Sequence, residues 1–467
     1  MAGKALYLGP RLKKLRRDLG LTQANMASDL DISPSYIALM ERNQRPVTAE
    51  MLIKLATTYR IDVGALADED ADETVARLQG ALRDPIFADI AIEPLDISDI
   101  ATSYPGFAEA FLRLHTAFGE EQLALAERRE TGGAGPAESY ASDPVLEARA
   151  FLAARRNCFP ELDDSAAVLA KQLDSFASMR EYLAEKHQLD LRLTDDGLLR
   201  GALRWHDNHR RRVHIAERID QAGRRFQAAL QIAILDQGSA IEAIMAESRI
   251  ASEDGKRLAR RALQSYWAAA LLMPYRPFAR AAADLRYDVE ALCARFAVSF
   301  EQAAHRLTTL QRPGEEGVGF FFLRVDRAGN VSKRLDGAGF RLARHGGGCP
   351  LWNVHTAFDH PNTVSAQLIE LSDGERYVSV ARTVRGGGGA FGVPEIIRSV
   401  AIACSATHLD KLTYADALAD HEPTAIGVAC RLCHRPLCIA RSAPPIGREI
   451  VPARFRESGV PFDFSVG

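Results

Sequence analysis

The sequence predicts a multidomain α+β chain that is all-α at its N-terminus, mainly helical through its middle, and α+β with antiparallel sheet at its C-terminus. Three observations predict it. Apolar residues recur at helical spacing over 10–66 and again over 143–312. Beyond Pro313-Gly314 the pattern changes to strand-like runs broken by Gly-containing turns. Between them, TGGAGPAESYAS at 131–142 loses all periodicity and fills with Gly, Pro and Ser, the composition of a flexible linker. The expected domains are 1–66, a helical connector with linker at 67–142, a middle domain at 143–312 and a C-terminal sensor domain at 313–467. A chain of 467 residues exceeds one ordinary core, which agrees with several domains.

A composition 47% hydrophobic and 25% charged is that of a soluble globular protein. The N-terminus lacks the apolar stretch of a signal sequence, and runs such as 268–273 stop far short of the ~20 residues that span a bilayer, so the cytoplasm is expected and no membrane partner. The net charge of −3 hides an asymmetry: residues 1–66 hold ten Lys/Arg against six Asp/Glu, and DEDADE follows at 68–73. A basic head before an acidic hinge fits contact with nucleic acid. Of seven cysteines, four lie beyond residue 400, a clustering that points to metal or redox chemistry rather than disulfides.

The first elements are short helices at 11–18, 22–30, 33–42 and 49–57, with a last turn near Val63; Thr22, Ser33 and Thr48 are placed to cap three of them. Ala24 and Ala27 are small where two helices must approach, Leu30 and Ile32 pack the turn between them, and Ile37 and Met40 seat the second helix. This is a helix-turn-helix whose second helix enters the major groove by its N-terminal end. Ser33, Ser35 and Tyr36 are the candidates for base contact. Gln23 is placed for a phosphate or an adenine edge, and Asn43 and Arg45 for the backbone. Arg11, Lys13, Lys14, Arg16 and Arg17 add salt-sensitive attraction. The segment from Thr22 to Arg42 resembles the Cro/repressor-like family, whose pattern T-Q-x-x-x-A-x-x-L-x-I-S-x-S-Y-I-x-x-x-E-R it meets nearly throughout. That resemblance implies a dimer on an inverted-repeat operator of double-stranded DNA.

After the connector, where Leu78, Leu82, Phe107, Phe111, Leu112 and Leu123 fall at mostly helical spacing, the middle domain carries one strand-like stretch, 212–215, before the helix RRFQAALQIAIL. Residues 200–235 resemble the ImmA/IrrE metallopeptidases, in which such a helix bears R-F-x-x-A-H-E-x-x-H. Two His one turn apart hold zinc and the Glu is the general base. Here Leu230, Gln231 and Ile234 stand at those positions, so peptidase activity is not expected and the protein is read as a non-enzyme. His206, His209 and His214, substitute ligands in principle, sit in an Arg-rich stretch and read as ordinary surface or core histidines. Guanidinium forks suit phosphate-rich ligands. Arg204, Arg224 and Arg225 are therefore candidate contacts to such a ligand, and Tyr266, Trp267, Tyr275 and Phe278 a candidate acyl pocket. A solvated basic face and an aromatic core are the plain alternatives. The stretch 292–307 is taken as a structural helix pair rather than a second helix-turn-helix.

Hairpins are expected with turns at Ala328-Gly329-Asn330 and Ser372-Asp373-Gly374. In A-C-R-L-C-H-R-P-L-C, Cys430, Cys433 and Cys438 share one turn-rich segment, and a CxxC pair presents two thiolates to one centre. Cys349, in the glycine-rich HGGGCPLW, is the chosen fourth ligand, with Cys404 and His434 in reserve. Either zinc or an iron–sulfur cluster, such as a 4Fe–4S centre, suits this set.

The head, RRFQAALQIAIL, YWAAALLMPYRPF, CPLWNVHTAF and CRLCHRPLC together resemble the short-chain fatty acyl transcriptional regulators, the bacterial relatives of PrpR and RamB. The resemblance covers most of the chain and is weakest over 70–140. It implies control of propionate- or acetate-type metabolism, an acyl-CoA effector and, in some members, an iron–sulfur cluster on C-terminal cysteines. A redox sensor without acyl-CoA response and a peptidase-type stress regulator are the competing readings.

Overall fold

The computed structural model describes residues 9–42, 44–45, 47–59, 70–87, 90, 92–112, 114–115, 118–119, 144–335, 340, 348–387, 395–445, 459 and 462. The expected turn at Val63, the acidic hinge before residue 70, Leu123, the 131–142 linker and Asn43 lie outside them. The chain divides into two compact units, Met1–Gln122 and Leu123–Gly467.

In the first unit, α1 (Gly9–Asp18), α2 (Gln23–Asp29), α3 (Pro34–Glu41) and α4 (Ala49–Tyr59) close on a small core of Leu12, Met26, Ala27, Leu30, Ile37, Met40 and Leu55. The caps are those expected: Thr22 accepts from Asn25 N, Ser33 from Tyr36 N and Thr48 from Met51 N. Asp31 turns the chain between α2 and α3 in the left-handed region, φ 52°, where aspartate is among the better tolerated side chains. Ala27 is buried as expected, whereas Ala24 faces solvent. The connector helices α5 (Asp70–Leu82) and α6 (Pro94–Ser103) bury Leu78, Ala81, Ile97 and Ala101 with Ala108 and Leu112. Phe107, expected on the apolar stripe, is 65% exposed.

The second unit begins with α7 (Pro144–Ala154), α8 (Pro160–Ala170) and α9 (Phe176–His187). A three-stranded sheet follows in the order β1-β3-β2, with β1 (Asp190–Thr194) parallel to β3 (Arg212–Ala216) and β2 (Arg204–Asp207) antiparallel to it at the edge. Only β3 was legible beforehand, because β1 and β2 are short and polar. Then come α10 (Gln221–Asp236), α11 (Gly238–Ala246), α12 (Glu253–Leu272), α13 (Tyr275–Asp284), α14 (Val289–Phe296) and α15 (Phe300–Leu307). The pair α14–α15 is structural: Arg225 Nη1 on α10 donates to Phe296 O and Ala297 O.

A six-stranded sheet completes the unit in the order β5-β4-β8-β7-β6-β9, antiparallel except for the β6–β9 pair. Its strands are β4 (Phe321–Val325), β5 (Val331–Leu335), β6 (Ser365–Glu370), β7 (Arg376–Gly387), β8 (Glu395–Ser405) and β9 (Thr424–Ala425). Both expected hairpins form, with Gly329 and Gly374 at φ 83° and 85° in their turns. Strand alternation divides the faces. Phe322, Val380, Val400, Ile402 and Cys404 join the helices in one core, while Phe321, Leu323, Ala381 and Ala401 face a second core under Trp352. The division expected at residue 312 is thus a change of secondary structure inside one compact unit. No helix among the described residues is long and apolar enough to cross a membrane.

Candidate nucleic-acid surface, degenerate peptidase cleft and cysteine centre

The head presents Ser33 and Ser35 exposed at the start of α3, with Tyr36 half-buried behind them. Arg45 places its guanidinium 5.1 Å from the Tyr36 ring centre, which holds ring and cation together on the expected face. Gln23 needs correcting. Its Nε2 donates to Glu41 Oε2 at 2.7 Å, so part of its hydrogen-bonding capacity is committed inside the head. Glu41 is 7% exposed and also pairs with Arg16, whose Nε lies 2.5 Å from Oε1. Arg16 is therefore a structural cation, while Lys13 and Arg17 of the basic run are exposed. Burial alone would push the Glu41 carboxyl up; the Arg16 and Gln23 hydrogen bonds and the Arg16 charge outweigh it and hold it below the ordinary glutamate value. The E-R ending of the sequence pattern was the available signal for this network.

In the second unit the candidate acyl pocket is a core. Trp267 and Phe278 are fully buried and Tyr266 and Tyr275 nearly so. Tyr266 Oη donates to Asp163 Oδ2 (2.6 Å), Trp267 Nε1 to Ser165 Oγ (2.9 Å) and Tyr275 Oη to Glu315 O (2.9 Å). These buried side chains belong to the core that α12 and α13 share with α8 and α10. The arginine candidates separate as well. Arg225 is a staple between elements, reaching Asp174 O in addition to the α14 carbonyls. Arg224 Nη2 donates to Glu217 O (2.6 Å). Only Arg204 has no hydrogen-bond or carboxylate partner among the described residues, and its Nη1 is sealed from solvent.

Arg204 and His206 point to the inner face of the small sheet, since their register partners Ile215 and Val213 are fully buried there. Beneath them on α10 lies Gln231, 1% exposed, whose Nε2 donates to His206 Nδ1 at 3.3 Å. Trp205 and His214 occupy the opposite face, stacked with ring centres 5.3 Å apart, and His214 Nδ1 bonds Thr194 Oγ1 at 2.9 Å. His206 and His214 therefore cannot share a metal ion. Leu230 and Ile234 flank Gln231 on α10, and none of the three can hold zinc or serve as the general base.

The four cysteines that the sequence singles out come together in the second unit. Cys349, Cys430, Cys433 and Cys438 line one pocket, with Arg435 and Arg441 beside them. Cys349 is held by the segment that follows it: Trp352 Nε1 donates to Ser379 Oγ (2.7 Å), Asn353 Nδ2 to Ser365 O (3.0 Å), and Gln367 Nε2 to Leu351 O (2.9 Å). Burial pushes its thiol up, against backbone N–H groups of Gly427 and Leu351 directed at the sulfur. Ser442 N and Oγ approach Cys430 Sγ at 3.5 and 3.3 Å. Gly427 is required for the close approach, since a Cβ there would lie 2.7 Å from Cys433 Cβ and 2.9 Å from its Sγ.

Two arginines that sequence reasoning missed organise this loop. Arg441, 3% exposed, donates to Cys430 O, Cys433 O and Arg435 O, and Arg435 donates to Glu370 O and Leu371 O. Cys404 is fully buried in β8, away from the pocket lining, so it is no reserve ligand. Among the described residues no three His, Cys, Asp or Glu side chains close on one point that would hold a single ion. The four thiols ring a pocket instead.

Three family models match the chain: a helix-turn-helix over 12–66, an IrrE N-terminal-like domain over 184–308, and the short-chain fatty acyl coenzyme A regulator C-terminal domain over 309–462. The chain is 39% identical to a propionyl-CoA carboxylase regulator of Cereibacter sphaeroides, over 95% of this chain and 96% of that protein. It is 35% identical to the HTH-type transcriptional regulator RamB of Mycobacterium tuberculosis, over 95% and 96% of the two, and 33% identical to PrpR of the same organism, over 98% and 95%. Among solved structures it is similar to a Mycobacterium tuberculosis transcriptional regulator at 33% identity and a TM-score of 0.64, covering 68% of this chain and 99% of that one.

Proposed function

This chain belongs to the family of short-chain fatty acyl coenzyme A regulators and is a DNA-binding transcriptional regulator; from that premise we propose that it controls short-chain acyl-CoA metabolism by binding an acyl-CoA and changing its grip on an operator. The observation that carries the reading is the joining, in one chain, of a capped recognition helix with exposed Ser33 and Ser35 to an IrrE-like domain in which Leu230, Gln231 and Ile234 replace the catalytic set, followed by a domain of the short-chain fatty acyl coenzyme A regulators. Loss of the HExxH residues argues against the peptidase-type regulator. We assign Ser33, Ser35 and Tyr36 to base contact, and dimerisation on an inverted repeat to the head.

The four-cysteine pocket fits an iron–sulfur cluster better than a lone zinc. A polynuclear centre takes its thiolates from the corners of a wide frame, and N–H and O–H donors toward the sulfurs stabilise their charge. Cys349, Cys430, Cys433 and Cys438 would hold it, and the group would supply a redox-sensitive tie between the Cys loop and the 348–371 segment.

The experiment is calorimetric titration of anaerobically purified protein with propionyl-CoA, acetyl-CoA and CoA, with operator affinity and the iron, zinc and acid-labile sulfide content measured on the same sample. Micromolar acyl-CoA binding that shifts operator affinity is expected, with iron and sulfide in equal amounts. No thioester binding beside an intact cluster would leave redox sensing as the function.

A further inference from the structure

The connector leaves apolar surface open beside its own small core. After α6, Tyr104 O accepts from Ala108 N at 2.9 Å and Pro105 takes the first helical position, so a new helix starts there, with 105–112, 114–115 and 118–119 helical. Ala108 and Leu112 turn into the core shared with α5 and α6. A second stripe, Tyr104, Phe107, Phe111, Leu114 and Phe118, recurs at intervals of three, four, three and four residues, the spacing of a helix-on-helix seam. Phe111 is held against the Phe87 and His115 rings, whereas Tyr104, Phe107, Leu114 and Phe118 are 66%, 65%, 70% and 38% exposed. Roughly half the circumference of this helix is therefore apolar, and its own core covers one edge of that half. On the other edge Gly106 and Ala110 are small and exposed, with nothing within 4 Å of the place a Cβ would take at Gly106, so a second backbone can come close.

We infer that this seam is the contact between two copies of the chain, closing about a twofold axis and holding two heads on one inverted repeat. It rests on the inverted-repeat reading of the head given above and places the contact in the connector. The head is tied to the seam: α1 packs on α6, and head and connector form one compact unit, so an axis through the seam also fixes the separation of the two recognition helices, as two half-sites require. A twofold axis sets the stripe against itself, and a stripe without a charged residue is complementary to itself. The connector around it is acidic, with nine Asp/Glu against three Lys/Arg over 70–119, which repels DNA and an acidic bilayer as occupants. At ~150–250 Å² for an aromatic side chain, the open parts of the stripe come to on the order of 400 Å² per copy, and a closed pair to on the order of 800 Å². Specific interfaces begin near ~1,200 Å², so the pair is weak alone and the shared DNA completes it.

The test uses the full-length protein, its Phe107→Glu/Leu114→Glu variant, and the duplex that the parent selects from a random library, whole and cut to one half. The parent should bind the whole duplex as two copies and at least tenfold tighter than the half, while the variant binds whole and half alike, with the parent's affinity for the half. Added salt should weaken DNA binding by both proteins and leave the parent's self-association in sedimentation unweakened, because the seam is apolar. If the variant misfolds, hydrogen exchange of the parent without DNA decides: amides at 104–118 should gain protection as the protein is concentrated from micromolar to hundreds of micromolar. Cooperative two-copy binding by parent and variant alike overturns the seam and leaves the inverted repeat intact. A single copy on the whole duplex overturns the inverted-repeat reading, and the seam then stands or falls on the concentration dependence at 104–118. Protection there at every concentration in a monomer gives the stripe to another part of the same chain and overturns the seam.

Discussion

Glu41 shows how one side chain serves both the stability of the head and its recognition surface. Its carboxylate takes Arg16 on one side and Gln23 on the other, tying α1 and α2 to the end of α3. Because its folded-state value lies below that of the unfolded chain, the network stabilises fully above the unfolded glutamate value of about 4.3 and loses this contribution as pH falls through the lower, folded value. Glu41→Gln should remove that acid dependence and cost about 1.5–3 kcal/mol at neutral pH, the range for hydrogen bonds to charged groups. Hydrogen exchange of the amides at 23–41 in the full chain would report it, and unchanged protection would show that the network is idle. Tyr36→Ala acts differently. It removes the ring over which Arg45 sits, without touching the α3 cap, so specific operator affinity should drop tenfold or more while acyl-CoA binding stays as in the parent. Equal loss of both in titrations would break the separation of head from sensor.

At the scale of elements, the cysteine loop depends on residues that carry no thiol. Gly427→Ala places a methyl carbon within 3 Å of Cys433 Cβ and Sγ, so Cys433 must move, and the iron of the cluster proposed above should be lost although all four cysteines remain. Arg441→Met should loosen the same loop by freeing the carbonyls of Cys430 and Cys433, and full iron and sulfide content in either variant would dissociate loop geometry from metal binding. The contrast with the sequence reading is physical. Cys430, Cys433 and Cys438 were legible because a short spacing forces thiols together whatever the rest of the fold does. Arg441 was not, because its partners are backbone carbonyls, which leave no mark on residue identity. The same reason explains Arg225, which the sequence offers to a ligand and the fold gives to the carbonyls of Phe296, Ala297 and Asp174. The capped head helices and the Gly turns at 329 and 374 were legible for the opposite reason: local chemistry determines them. Tyr266, Trp267, Tyr275 and Phe278 were misplaced because an aromatic stripe on a helix reads alike whether a ligand or another helix covers it.

Across the whole molecule, the second unit is joined by a core that runs from Ala148 to Leu418, and the buried Arg306–Asp163 ion pair lies among its helices. Arg306 is fully buried. Its Nη2 meets Asp163 Oδ1 at 2.5 Å, its Nε donates to Met273 O and its Nη1 to Thr309 Oγ1, so α15, α8 and the end of α12 share one satisfied charge. Replacing both partners with apolar groups would cost little, but removing one strands the other in a low-dielectric interior. Arg306→Met should therefore destabilise the unit by about 3–5 kcal/mol. The reporter is built in. Cys158 is 6% exposed and its thiol is pushed up to about 11 by burial and by Asp163, so it should resist disulfide-exchange reagents in the parent; Arg306 draws that thiol down, so its loss alone slows exchange, and faster reaction in Arg306→Met reports opening of the core around it. Since the six-stranded sheet packs one face on the same helices, hydrogen exchange at Val380, Val400 and Ile402 should rise together with that of α8 and α15, while the head amides stay unchanged. Opening confined to the helices would mean that the sheet folds independently of them.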